Sequence, residues 1–93
     1  MEFEWDLSKE IENLKKHGVD FMEAIETFSD PNGFQLKDVK HSIVEMRFFW
    51  VGKSRKGKVI TARFTRRGNV IRIIGAGYWR KGKQIYEREN QIH

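Results

Sequence analysis

Three arginines, Arg47, Arg63 and Arg72, are the residues best suited to hold a phosphate, and their spacing draws them together. A guanidinium is always charged and offers a planar fork of donors that matches pairs of phosphoryl oxygens. Segments 43–52 (IVEMRFFWVG), 58–66 (KVITARFTR) and 69–77 (NVIRIIGAG) alternate as strands, joined by KSRKG and by Arg67-Gly68. Pairing Gly52 with Lys58 sets Arg47 opposite Arg63 and Glu45 opposite Thr65. Pairing Arg66 with Asn69 sets Arg63 opposite Arg72. On this register Glu45, Arg47, Thr61, Arg63, Thr65 and Arg72 share one sheet face. Val44, Met46, Phe48, Trp50, Ile60, Ala62, Phe64, Ile71 and Ile73 share the other. Cross-strand neighbours lie about 5 Å apart, where like charges repel. A row of this kind calls for an anion, and phosphate is the natural candidate.

Proton transfer beside such a row needs an imidazole or a carboxylate. His41 precedes the Arg47 strand by a few residues and reaches toward its rim; the plainer reading is a loop histidine bonded to backbone. His17 stands beside Gly18 at a predicted helix end, where partnership with the helix dipole is the simpler role. Glu45 shares the arginine face, either as a base or as the neutraliser of Arg47. Lys15, Lys16 and Arg67 are candidates for contacts to a nucleic-acid backbone. So are Lys53, Arg55 and Lys56, in a loop with four cations in six residues. Ordinary solvation explains each of these cations equally well. Tyr78 and Trp79 could stack on a base, pack beneath a helix or hold a partner; packing is the default. The three histidines and scattered acids show no metal-ligand spacing, and Gly75-x-Gly77 is too short for a nucleotide loop, so no cofactor is called for.

These side chains need a scaffold, and the sequence supplies one. Residues 2–5 (EFEW) read as a first strand. A helix follows from Asp6, its N-cap, to about His17, with Gly18 as the left-handed stop and Ile11 and Leu14, after Trp5 or Leu7, as its apolar stripe. A second helix covers about 20–28, with Phe21, Ala24, Ile25 and Phe28 inward. Asp30-Pro31-Asn32-Gly33 reads as a turn and 34–38 as a short irregular strand. After the three-strand meander, about 82–91 reads as a helix held through Ile85, Tyr86 and Ile92. The order β-α-α-β-β-β-β-α predicts an α+β domain in two layers, with the helices on the apolar sheet face.

Ninety-three residues suit one domain of modest core. Hydrophobic residues at 39% and charged ones at 33% suit a globular chain, and a net charge of +5 favours an anionic partner without naming it. With no cysteine there is no disulfide, thiolate chemistry or cysteine-zinc site, which suits the cytoplasm. The acidic N-terminus lacks an apolar signal core, and no segment is apolar enough to span a membrane.

The order FEWD (3–6), Lys9, Asn13, KHGV (16–19), Phe21, Glu23-Ala24, Phe28 and Asp30-Pro31 resembles the BrnT family. So do His41-Ser42, Glu45, Arg47, Gly52-x-Ser54, Thr65-x-Arg67 and IRII (71–74). The resemblance covers about residues 3–76. It implies a single RelE-like toxin domain over 1–93: two N-terminal helices on an antiparallel meander, then a C-terminal helix. It implies an endoribonuclease toxin of a type II toxin–antitoxin system, neutralised by a BrnA-like ribbon-helix-helix antitoxin. DNA would be reached only through that complex. After IRII the family continues with Ser, Ala and Arg, whereas Gly75, Ala76 and Gly77 stand here. The expected chemistry is metal-independent, with Arg47, Arg63 and Arg72 on the scissile phosphate and His41 or Glu45 handling protons. The rival readings are an antitoxin-binding module that cleaves weakly or not at all, and a basic RNA-binding domain.

Overall fold

The computed structural model describes residues 1–90. Strand β1 (Glu2–Trp5) leads directly into α1 (Leu7–His17). The Asp6 carboxylate starts this helix by accepting from Ser8 Oγ at 2.6 Å, Ser8 N at 2.9 Å and Lys9 N at 3.4 Å. The Ser8 hydroxyl, then the Lys9 and Ser8 amides, hold the Asp6 carboxyl below its ordinary range. Gly18, at φ 70°, closes the helix as expected. Asp20 caps α2 (Phe21–Glu26), which tightens into a 3-10 turn over Thr27–Ser29. There follow β2 (Phe34–Lys37), a 3-10 turn over Val39–His41, β3 (Arg47–Lys53), β4 (Val59–Arg67), β5 (Val70–Gly77) and α3 (Arg80–Glu89). The α+β fold is as the sequence predicts. The final helix starts two residues earlier than expected, and Gln91 and Ile92 lie outside the described residues.

The sheet runs β1-β5-β4-β3-β2, antiparallel except where β1 pairs parallel with β5. Its register corrects the one expected. Lys53 faces Val59, so Arg47 sits opposite Thr65 and Arg63 opposite Phe49. Arg67 faces Val70, so Arg72 also sits opposite Thr65. Each hairpin loop starts one residue later than predicted, because of its glycine. Gly57 (φ 78°) lies late in the loop 54–58, and Gly68 (φ 63°) opens the two-residue loop Gly68-Asn69. A shift of one residue on each strand moves the pairing by two. Faces survive such a shift, since side chains alternate with period two. Arg47, Arg63 and Arg72 therefore share a face but are not direct cross-strand neighbours.

Two further expectations fail at the start of this meander. Residues 43–45 form a bend rather than strand, and β3 begins at Arg47. Val44 and Met46 are exposed instead of inward. Ser42 accounts for the bend: its hydroxyl donates to the Asp38 carbonyl at 2.6 Å and accepts from Arg47 N at 3.0 Å. This folds the chain back before pairing can start.

α1 and α2 cover the apolar face. Val19, Phe21 and Ala24 are fully buried there against Ile60, Ala62, Phe64, Ile71 and Ile73. Phe28 organises the aromatic part, with ring centroids 5.2–5.3 Å from Phe3, Trp50 and Phe64. α1 does not bury the stripe expected of it. Leu7, Ile11 and Leu14 are about half exposed or more, and the helix turns its polar Asn13 inward.

α3 takes the opposite sheet face, which corrects the expectation that all helices share one side. Tyr86 is buried against Val51, Val59 and Phe34. Gly82 permits this approach, because a Cβ there would collide with the Thr61 hydroxyl. The Asp30 carboxylate fixes the helix by accepting from Tyr86 Oη and Lys53 N, both at 2.7 Å, and from Asn32 N at 2.9 Å. Burial opposes its ionisation, but these donors prevail and hold its pKa below the ordinary 3.8. Burial first, then the Asp30 bond, pushes Tyr86 up to about 12. Asp30→Ala is expected to cost about 2–3 kcal/mol at neutral pH, the usual scale for bonds to a charged acceptor. The Asp30 contribution should be present above the unfolded value of 3.8 and disappear as pH falls through the lower folded value. The Tyr86 contribution should be present below pH 10 and disappear as pH rises through about 12. Urea denaturation across pH checks both limbs; the variant should remove the acid limb and shrink the alkaline one, where burial of Tyr86 remains.

Candidate active site

A cavity of about 580 Å³ opens on the arginine face, between the end of α1, the 38–41 turn and the C-terminal half of β5. Asn13 builds its first wall. β1 stops pairing at Ile73, and beyond it the Asn13 side chain takes the place of a strand. Its Oδ1 accepts from Ala76 N at 3.0 Å, while Nδ2 donates to the carbonyls of Ala76 at 2.8 Å and Val19 at 2.9 Å. This clamp fixes the last turn of α1 against β5 and brings His17 to the cavity. A methyl group at Gly77 would stand 3.7 Å from the His17 ring.

The second wall is a histidine–aspartate pair. Asp38 is only 4% exposed and accepts from His41 Nδ1 at 3.0 and 3.1 Å. It also caps the 3-10 turn through His41 N, at 3.3 Å. A carboxylate accepting at Nδ1 places a ring proton there, so in the neutral ring Nε2 is the acceptor nitrogen. Asp38 N in turn donates to the Arg47 carbonyl at 2.8 Å, so the pair is tied to β3.

The floor depends on a β-bulge. Phe64 faces Ile73 but Arg63 faces Gly75, leaving Ile74 as the extra residue on β5. The bulge reverses alternation along the end of β5. Ala76 turns into the core, and Gly75 and Gly77 come onto the arginine face. Two bare glycines there leave the cavity open above Arg63 and Thr61.

The cavity brings together Arg63, His41, His17, Lys40, Phe49 and Trp79. It does not gather the full arginine row. Arg47 lies 3.9 Å from Glu45, which also lies 3.6 Å from Arg67. Arg72 lies 3.4 Å from Glu4 on β1. Glu45 thus sits between two guanidinium groups, outside the cavity. Arg63 has no ion pair among the described residues. Arg47 Nε is buried without a hydrogen-bond acceptor among the described residues.

The remaining cations are dispersed. Lys15 and Lys16 are exposed in the last turn of α1, and Lys16 lies 3.8 Å from Glu12, an exposed contact of little energetic weight. The 53–58 tip is docked on acids: Lys53 N donates to Asp30, Arg55 N to Glu26 and Ser54 Oγ to Glu23. The side chains of Lys53, Arg55 and Lys56 face solvent at the sheet end remote from Arg67. Sequence reading missed Asp38, Lys40 and Asn13 as cavity residues, and raised His17 as a proton carrier while favouring its helix-end role. The Asp38-x-x-His41 spacing, which suits a short capped turn, was the available signal. Among the described residues no three His, Asp or Glu side chains converge as a metal site, and no helix is long and apolar enough to cross a membrane.

The fold has relatives. A crystal structure of the Brucella abortus ribonuclease toxin BrnT is similar in fold, with a TM-score of 0.62 at 21% identity. The match covers 85% of this chain and 96% of that one. Comparison with curated proteins found no match. The family model described as the ribonuclease toxin BrnT of type II toxin–antitoxin systems matches residues 5–82. Such a match runs from the last residue of β1 to the start of α3, every wall of the cavity included, and on it the chain belongs to the BrnT toxin family.

Proposed function

We propose that this protein is a metal-independent endoribonuclease toxin whose cleavage site is the Arg63 cavity. The observation that carries the reading is the convergence of a guanidinium, without an ion pair among the described residues, with two imidazoles, one oriented by a buried carboxylate. His41 Nε2 accepts the proton of an RNA 2′-hydroxyl, and the freed oxygen attacks the adjacent phosphorus. Arg63 stabilises the extra negative charge of the pentavalent transition state. His17, in the last turn of α1, returns a proton as the bond to the 5′ oxygen breaks. The products are a 2′,3′-cyclic phosphate and a 5′-hydroxyl.

The Gly75 and Gly77 departure does not remove this machinery, because Arg63 and both histidines stand on other elements. The proposed partner is a BrnA-like ribbon-helix-helix antitoxin, with DNA contacted only through the complex, in the cytoplasm. Two of the three arginines already face acids, so the capture of an acidic antitoxin segment narrows to Arg63 and the cavity rim. Induced expression alone should arrest growth and fragment RNA with cyclic-phosphate ends. Co-expression of the adjacent ribbon-helix-helix gene should restore growth, and EDTA should leave cleavage by the purified protein unchanged. Intact RNA on induction, or loss of cleavage in EDTA, would reject the corresponding part of the proposal.

A further inference from the structure

The Arg63 cavity does not end at its own rim. A second concavity of about 360 Å³ adjoins it, and Tyr78 and Trp79 line both. Its other side chains include Lys58, Arg80 and Lys83, and no acid among the described residues lines it. Both aromatics are 46% exposed, yet both are held in place. Trp79 packs on Phe49 with ring centroids 4.8 Å apart, and Lys58 Nζ stands 5.3 Å from the Tyr78 ring centre. Trp79 occupies the N-cap of α3 without forming a side-chain cap, so capping does not explain its position. Along β4 the first depression is lined by Thr61 and Arg63 and the second by Val59, two and four residues away, about 7 and 13 Å at strand rise. A substrate with one phosphate cannot occupy both.

We propose that single-stranded RNA runs from the Arg63 cavity across Tyr78 and Trp79 into this basic cleft. Lys58, Arg80 and Lys83 hold phosphates beyond the scissile one, and a base stacks on Trp79. Aromatic faces between cations are the arrangement that tracks a flexible strand without reading its sequence. The inference rests on the ribonuclease reading for the cavity and adds the substrate class, an extended oligonucleotide rather than a short one.

The test measures binding by the full chain of fully 2′-O-methylated oligouridylates, which lack the attacking hydroxyl. Cleavage is thereby kept out of the measurement, and an inactive protein can still pass or fail. Wild type should bind the octanucleotide at least about tenfold more tightly than the dinucleotide. The triple variant Lys58→Ala/Arg80→Ala/Lys83→Ala should lose about tenfold on the octanucleotide and little on the dinucleotide. Its log–log salt slope should fall by about two, for three released phosphate contacts. Trp79→Ala should lose about five- to tenfold, the scale of one stacked base. The charge-preserving Lys58→Arg/Lys83→Arg variant should lose much less than the triple variant, which separates charge from fold. Octanucleotide binding by the triple variant equal to wild type overturns the track, as does an equal loss on both lengths. So would a triple variant impaired only for the antitoxin, which would make the cleft a protein interface.

Discussion

Arg63→Ala is expected to lower the rate of RNA cleavage by about 10²–10³-fold, as loss of one preorganised donor to a developing charge commonly does. Arg47→Ala and Arg72→Ala should each cost about fivefold or less. The difference follows from position. Arg63 lies in the cavity with both histidines and has no ion pair among the described residues, whereas Arg47 and Arg72 face Glu45 and Glu4. His41→Ala should match or exceed the Arg63 loss, within the about 10²–10⁴-fold range of a general base. Asp38→Asn should give a smaller loss with an altered pH profile, because the carboxylate acts through the imidazole it orients. The measurement is kcat/KM on a defined oligonucleotide for each purified variant. Equal losses at Arg47, Arg63 and Arg72 would restore a continuous arginine row as the site and remove the cavity from the mechanism.

Asn13→Asp is expected to destabilise the fold by about 3 kcal/mol or more at neutral pH. The amide donates to two carbonyls and accepts from one amide within a buried setting. A carboxylate keeps the acceptor and loses both donors, so a buried charge faces the oxygens of Val19 and Ala76. Asn13→Ala should cost about 2–3 kcal/mol, because it leaves the same groups unpaired without adding charge. Urea midpoints at constant m-value measure both. The Asp variant should recover stability as pH falls and its carboxyl takes up a proton, a response that the Ala variant lacks. An Asp variant as stable as wild type at neutral pH would show that the clamp carries no weight. It would also remove the reason for His17 to stand beside Gly77.

Both residues show how far the sequence reaches. Short-range chemistry determined the elements: Asp6 and Asp20 as caps, Gly18 as a stop, and alternation from Phe48 to Trp50 and from Ile60 to Phe64. These depend on neighbours a few residues away, and they appear in the structure where the sequence puts them. Alternation also set the face of Arg47, Arg63 and Arg72. That assignment withstood a two-residue error in register, because two is the period of a strand.

The site needed what alternation cannot carry. The bulge at Ile74 turns Gly75 and Gly77 onto the arginine face, yet no local pattern marks it, since IRIIGAG alternates equally well without it. The apolar residues of α1 suggest a buried stripe. Burial instead follows Asn13, whose partners Val19 and Ala76 lie 6 and 63 residues away. Asp38 and His41 were legible as types, but their closure on a cavity with Arg63 required the chain reversal made by Ser42. The sequence alone determined which residues could bind phosphate and move protons, because charge and ionisation are properties of single side chains. Only the tertiary structure decided which of them meet, because long-range polar bonds and one unpaired residue in a sheet leave no periodic trace.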